Sequence, residues 1–473
     1  MIHLLIIGAC VAALLGDESQ IDLGVALSSQ EVVLLAIGAP FGLWLLAHLF
    51  AMVQGRRMDR LGDVRAVRRI ERALLFARIG AWVLVVAAIL GGGWVGAVRG
   101  AIGDVPAVDE LIAISPFIAV LVLSWWTWSG IERRLREATL LRRLDSGLDV
   151  RPIPTRGAMV WYSVRHNVLF VLVPIALLMG WAETVLLVAN AAVQPEPAAW
   201  VAWVPESARS YESISTWAPV IQLVGVGVIF TLMPPILRRI WSTMPMPPGA
   251  LRDRVQSVCD AHRVRVRRLL IWRTGGMMVN AAVMGMLPRV RYVLLSDGLL
   301  EQMSFAQIEA VTAHEVGHVR RRHLPWLVVS LMGTMIGLGL IAERFASGWS
   351  QIGSSAAALA GVALVFGFVS RRFERQADAF AVQHLSSGET IGPEDAEVMC
   401  SALGRVAVLN GLPAARWTWR HGSIAGRQRR LRGLVGVRVD RVPIDRQILW
   451  LKLFFAAALA GSLWFGSGSL TGQ

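Results

Sequence analysis

The chain has 473 residues, of which 55% are hydrophobic and 17% are charged, and its formal net charge is +14. In ordinary soluble proteins charged residues make up about a quarter of the chain, so this composition excludes a typical soluble protein. Nearly all the positive charge is arginine, because Lys452 is the only lysine. These arginines flank apolar runs, which favours a protein in contact with a lipid bilayer, and we expect no nucleic-acid partner.

Long apolar runs predict eight or nine membrane spans. Most are close to the ~20 residues that a helix needs to cross the hydrocarbon core. The first is short but lacks the basic start and cleavage site of a signal peptide, so we expect a retained helix. The runs are 2–15, 31–53, 77–98, 111–130, 167–189, 217–236, 324–341, 353–369 and 448–466.

The loops between these runs alternate in charge. Residues 54–76, 131–166 and 237–323 are rich in arginine, whereas residues 16–30 contain acidic residues and no basic one. Arginine-rich loops mark the cytoplasmic side of a membrane. The pattern therefore predicts a cytoplasmic amino terminus and places 237–323 and 370–446, the two segments long enough for a soluble domain, on the same cytoplasmic face.

The first of these segments begins with helical and strand-like patterns. An amphipathic helix is predicted at 250–262, after the proline-rich stretch Met244–Pro248. Three β-rich runs separated by Gly275-Gly276 and by Pro288 predict a small meander. They are residues 266–273, 277–284 and 290–296.

A second helix follows these strands. Ser304 with Gln307 three residues later is a capping-box pattern, and the helix should run to about Arg322. It contains His314-Glu315-Val316-Gly317-His318. Residues four apart lie on one helix face, so both imidazoles can bind one zinc ion. Glu315, rotated by about 100° from His314, is suited to act as general base for a water molecule that zinc activates. The alternative is a helix with two exposed histidines.

A catalytic zinc site needs a third protein ligand. Glu374 is the best candidate, because two spans separate it from His318 and return the chain to the same face of the membrane. Asp378 follows one turn later and is suited to hold a ligand histidine in its metal-binding tautomer. The alternative is that Glu374 only pairs with neighbouring arginines.

These motifs resemble the membrane gluzincins, the CAAX prenyl protease type 1 and HtpX-like family. His314–His318, a paired helical hairpin and then Glu374-Arg-Gln-Ala-Asp378 match the family's order, and the resemblance covers about residues 250–435. Weaker matches are Asn280-Ala281-Ala282, the segment 294–300, His323, and His421-Gly-Ser with Arg427. Gly422 stands where the family has proline.

The resemblance implies a role for each matched residue. His314, His318 and Glu374 would bind one zinc ion, Glu315 would be the general base, and Asp378 would support a ligand. Substrate would extend along Asn280, Ala281 and Ala282 as an added strand. His421 and Arg427 would face the developing oxyanion, which requires a bend in the chain that Gly422 or Gly426 permits.

We therefore predict an α-helical multi-pass membrane protein of eight or nine spans with a cytoplasmic zincin-like α+β metallopeptidase domain. It would hydrolyse membrane-associated polypeptides, in a bacterial inner membrane. The alternatives are a catalytically silent scaffold or receptor that retains the fold, and a transporter with a metal site. The predicted regions are a membrane region of about six spans (1–236), a first cytoplasmic peptidase segment with the meander and zinc helix (237–323), a helical hairpin (324–370), a second cytoplasmic peptidase segment with the third ligand (371–446) and a last span (447–473).

Overall fold

The chain divides into two compact units, Met1–Trp241 and Ser242–Gln473. The computed structural model describes residues 2–15, 27–63, 65–145, 153–276, 278–343 and 348–470, with side chains for all of these except 61, 138–145, 343, 348–352, 355–356 and 465–470.

The regular secondary structure among the described residues of the first unit is entirely helical. Helices α1, α4 and α6 pack on one another around Ile6, Ala81, Val85 and Phe117, which are fully buried. The helices are α1 (Ile2–Leu15), α2 (Ser29–Val33), α3 (Ala39–Leu61), α4 (Arg65–Gly92), α5 (Trp94–Ile102), α6 (Val108–Asp145), α7 (Arg156–Ser163), α8 (Phe170–Val193) and α9 (Tyr211–Ile240). π-Helical turns at Leu34–Gly38 and Val164–Leu169 join α2 to α3 and α7 to α8, and two 3₁₀ turns, Ala199–Val201 and Glu206–Ala208, precede α9.

Seven helical segments of the described residues are long and apolar enough to span a membrane. They coincide with seven of the nine predicted runs, which confirms a multi-pass membrane protein. Run 2–15 forms a 14-residue helix, shorter than a span requires. Run 353–369 lies in a helix whose first residues are only partly described. The seven are Ser29–Arg60, Arg65–Gly92, Val108–Glu137, Arg156–Val193, Tyr211–Ile240, His323–Ala342 and Val439–Trp464.

The second unit combines a small sheet with eight helices among its described residues. In chain order the elements are β1 (Thr243–Pro245), α10 (Ala250–Ala261), β2 (Arg268–Trp272), β3 (Ala281–Met284), β4 (Tyr292–Ser296), α11 (Asp297–Gln302), α12 (Phe305–Arg320), α13 (His323–Glu343), α14 (Gly348–Leu385), α15 (Pro393–Leu409), α16 (Ile424–Arg432) and α17 (Pro443–Leu470). The 3₁₀ turns Pro288–Val290 and Val439–Arg441 precede β4 and α17.

The sheet is not the predicted meander. Its order is β1-β2-β4-β3, with β4 parallel to β2 and antiparallel to β3. Asp297, just after β4, accepts hydrogen bonds from the Thr274 hydroxyl (2.5 Å) and the Gly275 N–H (2.8 Å). These bonds hold the end of β2 beside the end of β4, so β3 lies at an outer edge. Strand β1, within the proline-rich stretch, was not predicted.

Helix α12 lies at the centre of this unit. Its buried residues Ala313 and Val316 belong to the same core as Leu295 of the sheet, Phe380 of α14 and Cys400 of α15. The long helix α13 packs on both α14 and α17. A Cβ at Gly333 of α13 would lie 3.2 Å from the Leu459 backbone of α17, so the missing side chain permits close helix packing.

Candidate metal centre

Helix α12 presents the predicted zinc motif. Its first turn is closed by the predicted capping box: the Gln307 N–H donates to the Ser304 hydroxyl at 3.3 Å, and the Ser304 N–H donates to the Gln307 side chain at 3.1 Å. The helix ends at Arg320, two residues before the predicted end. Its interior position in the core holds His314 buried and leaves His318 and Glu315 partly exposed.

Helix α14 packs closely against α12 at the glycine of this motif. A Cβ at Gly317 would lie 2.9 Å from the ring of Phe380, a separation that real side chains do not show. The absence of a side chain at Gly317 therefore allows the Phe380 ring to lie directly on the zinc helix. This packing places Glu374, less than two turns earlier on α14, opposite the two histidines.

Three side chains converge at this point. The Glu374 carboxylate lies 3.6 Å from Nε2 of His314 and 3.8 Å from Nε2 of His318. The two Nε2 atoms are 3.3 Å apart. Of the described residues, only these three form a group of His, Cys, Asp or Glu donors within 4.8 Å of one another. Two imidazole nitrogens and one carboxylate oxygen are the donor set of a catalytic zinc site, so these residues fit a zinc ion.

Asp378 connects His314 to a buried arginine. Its Oδ1 atom lies 3.0 Å from Nδ1 of His314, on the ring edge away from Glu374. Arg427 donates to the same carboxylate through Nε (2.8 Å) and Nη2 (2.5 Å). A carboxylate beside Nδ1 favours the tautomer in which Nε2 carries the free lone pair. The predicted supporting position of Asp378 is therefore matched by its geometry.

The surroundings of Glu374 and His318 keep these two candidate ligands in their metal-binding forms. Burial alone would raise the pKa of Glu374, but His421 and Arg427 outweigh it and hold the pKa of this carboxyl well below its usual range. Burial together with the neighbouring His314 lowers the pKa of His318 to about 4. A carboxylate and a neutral imidazole are the forms that bind a metal ion.

The sequence around these residues matches a known peptidase family. Residues 251–434 fit the model of Peptidase family M48, a range that includes α12, the ligand-bearing part of α14 and Arg427. Residues 251–434 are therefore similar to M48 peptidases. The five candidate spans before residue 251 lie outside the match.

Two relatives show how far this similarity extends. The CAAX prenyl protease 1 homolog of Arabidopsis thaliana is 24% identical over 218 residues, which are 40% of this chain and 49% of that protein. The chain thus spans about half the length of this curated relative. The crystal structure of S. mikatae Ste24p aligns over 82% of this chain and 98% of that one, with 14% identity and a TM-score of 0.37. That score is too low for a comparison of the two folds.

His421 and Arg427 both lie beside the Glu374 carboxylate. The His421 Nδ1 atom is 3.0 Å from Oε1 of Glu374, and Nη1 of Arg427 is 3.4 Å from Oε2. The predicted bend occurs at Gly422, whose φ is +74°, and not at Gly426, which lies within α16. His421 is exposed, whereas Arg427 is buried and bound to Asp378. The two residues therefore differ in what they can contact.

Glu315 lies beside the ligands on helix α12, which packs against the edge strand β3. Although its side chain keeps some contact with solvent, burial by the surrounding protein raises its pKa to about 7. A carboxyl group with this pKa can take up and release a proton near neutral pH.

The predicted substrate strand is an outer strand of the sheet. The Asn280 carbonyl accepts from the Ser296 N–H at 2.9 Å, and its own N–H donates to the Ser296 hydroxyl at 3.0 Å. Successive residues of a strand alternate in direction, so Asn280 and Ala282 direct their backbone groups toward β4. Ala281 and Val283 direct theirs away from the sheet. Of the three predicted residues, Ala281 is the one with outward backbone groups.

Three polar residues behind His318 were given no role by the sequence: His323 and Gln376, which are buried, and Asp445, which is half-buried. His323 lies 2.9 Å from His318 and also 2.9 Å from Gln376, whose amide donates to Asp445 at 2.6 Å. The position of His323 five residues after His318 was a signal for its proximity. Nothing in the sequence pattern connected Gln376 with Asp445, which is 69 residues away.

Proposed function

We propose that this chain is an integral-membrane zinc metalloendopeptidase that cleaves membrane-associated polypeptides. The observation that carries the proposal is the convergence of His314, His318 and Glu374 within the segment similar to M48 peptidases, with Glu315 beside them. A single lost ligand would be enough to disable such a site, so a complete set supports an enzyme over a silent scaffold.

Glu315 is proposed as the general base. A bound zinc ion would supply a lowered pKa for a water molecule and would polarise the scissile carbonyl. Glu315 would take the proton of that water and later pass it to the leaving amine. The raised pKa of Glu315 and its position beside His314 rather than within the ligand group support this assignment.

His421 and Arg427 are proposed to have different roles. His421 has an exposed ring with Nδ1 against Glu374. When both ring nitrogens carry protons, Nδ1 donates to Glu374 and Nε2 can donate to an oxyanion that develops on the open side. Arg427 has two of its donor nitrogens committed to Asp378 and the third close to Glu374. We therefore assign Arg427 to positioning these two carboxylates, and the oxyanion role predicted for it to His421 alone.

The edge strand β3 is the proposed docking site for substrate. An extended peptide that pairs with the outward groups of Ala281 and Val283 would add a fifth strand beside β3. Because α12 packs against β3, the peptide bond of such a strand would pass next to the proposed general base. The loop charges support a peptidase site on the cytoplasmic side of the membrane. We propose that this membrane is a bacterial inner membrane.

The test is terminal proteomics with Glu315→Gln. Detergent-solubilised bacterial membranes are incubated with purified wild type or variant, and new peptide termini are counted. Glu309→Gln is the matched control, because Glu309 lies on the same helix but pairs with Arg254 at 2.7 Å. Wild type and Glu309→Gln should generate the same termini, while Glu315→Gln should lower their rate by about 10²–10⁴. Equal cleavage by all three proteins would overturn the proposed function.

A further inference from the structure

His318 is held from behind by a chain of hydrogen-bonding side chains. Its Nδ1 atom lies 2.9 Å from Nδ1 of His323, and Nε2 of His323 lies 2.9 Å from Oε1 of Gln376. The Gln376 amide nitrogen donates to Asp445 at 2.6 Å. Asp445, at the start of α17, also accepts from Arg321 at 2.9 Å. This series of hydrogen bonds thus runs from the last long helix, α17, to a proposed zinc ligand.

The carboxylate of Asp445 fixes the direction of every bond in this chain. An ionised carboxylate only accepts, so the Gln376 NH₂ group faces Asp445 and the Gln376 oxygen faces His323. The Nε2 atom of His323 must then carry the proton that it donates to that oxygen. This leaves Nδ1 of His323 as an acceptor for a proton on Nδ1 of His318.

If these hydrogen bonds ran in the opposite direction, His318 could not bind a metal ion. If the Gln376 amide turned over, its NH₂ group would donate to His323, and the Nδ1 proton of His323 would face His318. The Nδ1 atom of His318 would then accept, and its Nε2 atom would carry the proton. Nε2 is the atom that lies 3.3 Å from Nε2 of His314 and 3.8 Å from Glu374. A proton there is incompatible with a zinc bond.

We propose that Asp445, acting through Gln376 and His323, selects the His318 tautomer that binds zinc and thereby sets the zinc affinity of the site. This rests on the proposed function, because it takes His318 as a zinc ligand. The three are positioning residues, since none lies among the candidate ligands. His323 is well suited to this role: it is only 3% exposed, and its ring stacks on Phe373 with an interplanar angle of 2°.

The burial of His323 and Gln376 strengthens their effect on zinc affinity. His323 and Gln376 are each 3% exposed, so water cannot easily replace a lost bond. Metal-bound histidines whose outer partners are removed typically lose about 10–100-fold in metal affinity. Because Asp445 belongs to α17, this last long helix of the described chain would contribute to zinc binding without providing a ligand.

The test exchanges the carboxylate and the amide. Zinc dissociation constants of the full-length apoprotein in detergent are measured by competition with a chromophoric zinc chelator. Asp445→Asn lets the Gln376 amide turn over and should weaken zinc binding by about 10-fold or more. The double variant Gln376→Glu/Asp445→Asn puts an acceptor-only group against His323 again and should restore the affinity to within about threefold of wild type. His323→Leu should weaken zinc binding both in the otherwise wild-type protein and in the double variant.

Two further variants separate the possible results. Asp440→Asn, an exposed carboxylate paired with Arg438, is the matched control and should bind zinc as wild type does. His314→Ala should abolish binding; if it does not, the proposed zinc site itself is wrong. If His314→Ala abolishes binding but Asp445→Asn and His323→Leu bind like wild type, the positioning chain is overturned and the zinc site stands. Equal weakening by Asp445→Asn and the double variant would also overturn it.

Discussion

Gly317 and Phe380 are in direct contact across the interface between α12 and α14, where a Cβ on the glycine would lie 2.9 Å from the aromatic ring. The glycine that precedes His318 in the zinc motif is thus a packing position. The ring is 6% exposed and has little room to move. This contact sets the distance between the helix of the two histidines and the helix of Glu374.

Gly317→Ala should therefore destabilise the second unit and loosen the ligand group. Alanine is the better helix former by about 1 kcal/mol, but forcing a methyl group into a packed contact costs about 1–3 kcal/mol. The expected result is a lower melting temperature with reduced zinc content. Gly339→Ala is the control, since its Cβ would meet nothing within 4 Å. A Gly317→Ala protein as stable as the control would show that the contact with Phe380 does not exclude a larger side chain at position 317.

Arg427→Ala should be far more damaging than the loss of its arginine neighbours. Arg427 is 7% exposed and binds Asp378 through two nitrogens. Removing one partner of a buried ion pair costs about 3–5 kcal/mol, because the other charge is left unpaired. Arg429→Ala and Arg430→Ala, both at exposed positions, should stay within about 0.5 kcal/mol of wild type. Chemical unfolding of the three variants compares them, and equal effects would contradict the assigned role.

Asp297 should give the second unit an acid-sensitive stability. Burial alone would raise its pKa, but hydrogen bonds from Thr274, Gly275 and Gly298 outweigh burial, and the folded pKa is lowered. A carboxyl with a depressed folded pKa stabilises the fold above its unfolded pKa of about 3.9, and this stability is lost as the pH falls through the folded value.

Asp297→Asn should therefore destabilise the protein most at neutral pH. Hydrogen bonds to a charged group are worth about 1.5–3 kcal/mol each, so a clear drop in melting temperature is expected at pH 7. The difference from wild type should shrink as the pH is lowered below about 4. Asp253→Asn, on the exposed side of α10, is the control. A pH-independent difference would contradict the role given to the Asp297 charge.

The charge pattern predicts that residues 237–323 and 370–446, which contain the two parts of the candidate metal centre, face the same side of the membrane. Single cysteines at the exposed positions Ser257 and Ser387 should react with a membrane-impermeant maleimide only after cells are permeabilised. A cysteine at Ser207, in the loop before α9, should react in intact cells. The three native cysteines are buried and should contribute little background. Labelling of Ser257→Cys and Ser387→Cys from opposite sides would contradict the predicted topology.

The sequence predicted those features of the structure that depend on a local pattern of residues. The capping box at Ser304, the four-residue spacing of His314 and His318, and the apolar runs each depend on residues close in the chain. The position of Glu374 near the two histidines was also predictable, because the two predicted spans between them would return the chain to the same membrane face. Seven of the nine predicted runs coincide with helices long enough to span.

Features that depend on contacts between residues far apart in the sequence were not predictable. The sheet order follows from the bonds between Asp297 and the turn after β2, and a strand pattern alone does not show which strands pair. Arg427 binds Asp378, 49 residues away, so motif similarity gave the position of the arginine but not its partner. The contacts of His323 and Gln376 likewise depend on how α13, α14 and α17 pack.

The most direct test of the central claim is the zinc content of the purified full-length protein, measured by plasma mass spectrometry for wild type, Glu374→Ala and Glu315→Gln. We predict about one zinc per chain in wild type and in Glu315→Gln, and a large loss in Glu374→Ala, because a catalytic site holds its metal with three protein ligands. Of these proteins, only wild type and Glu315→Gln keep the intact ligand group of His314, His318 and Glu374. Full zinc in Glu374→Ala, or no zinc in wild type, would contradict the account.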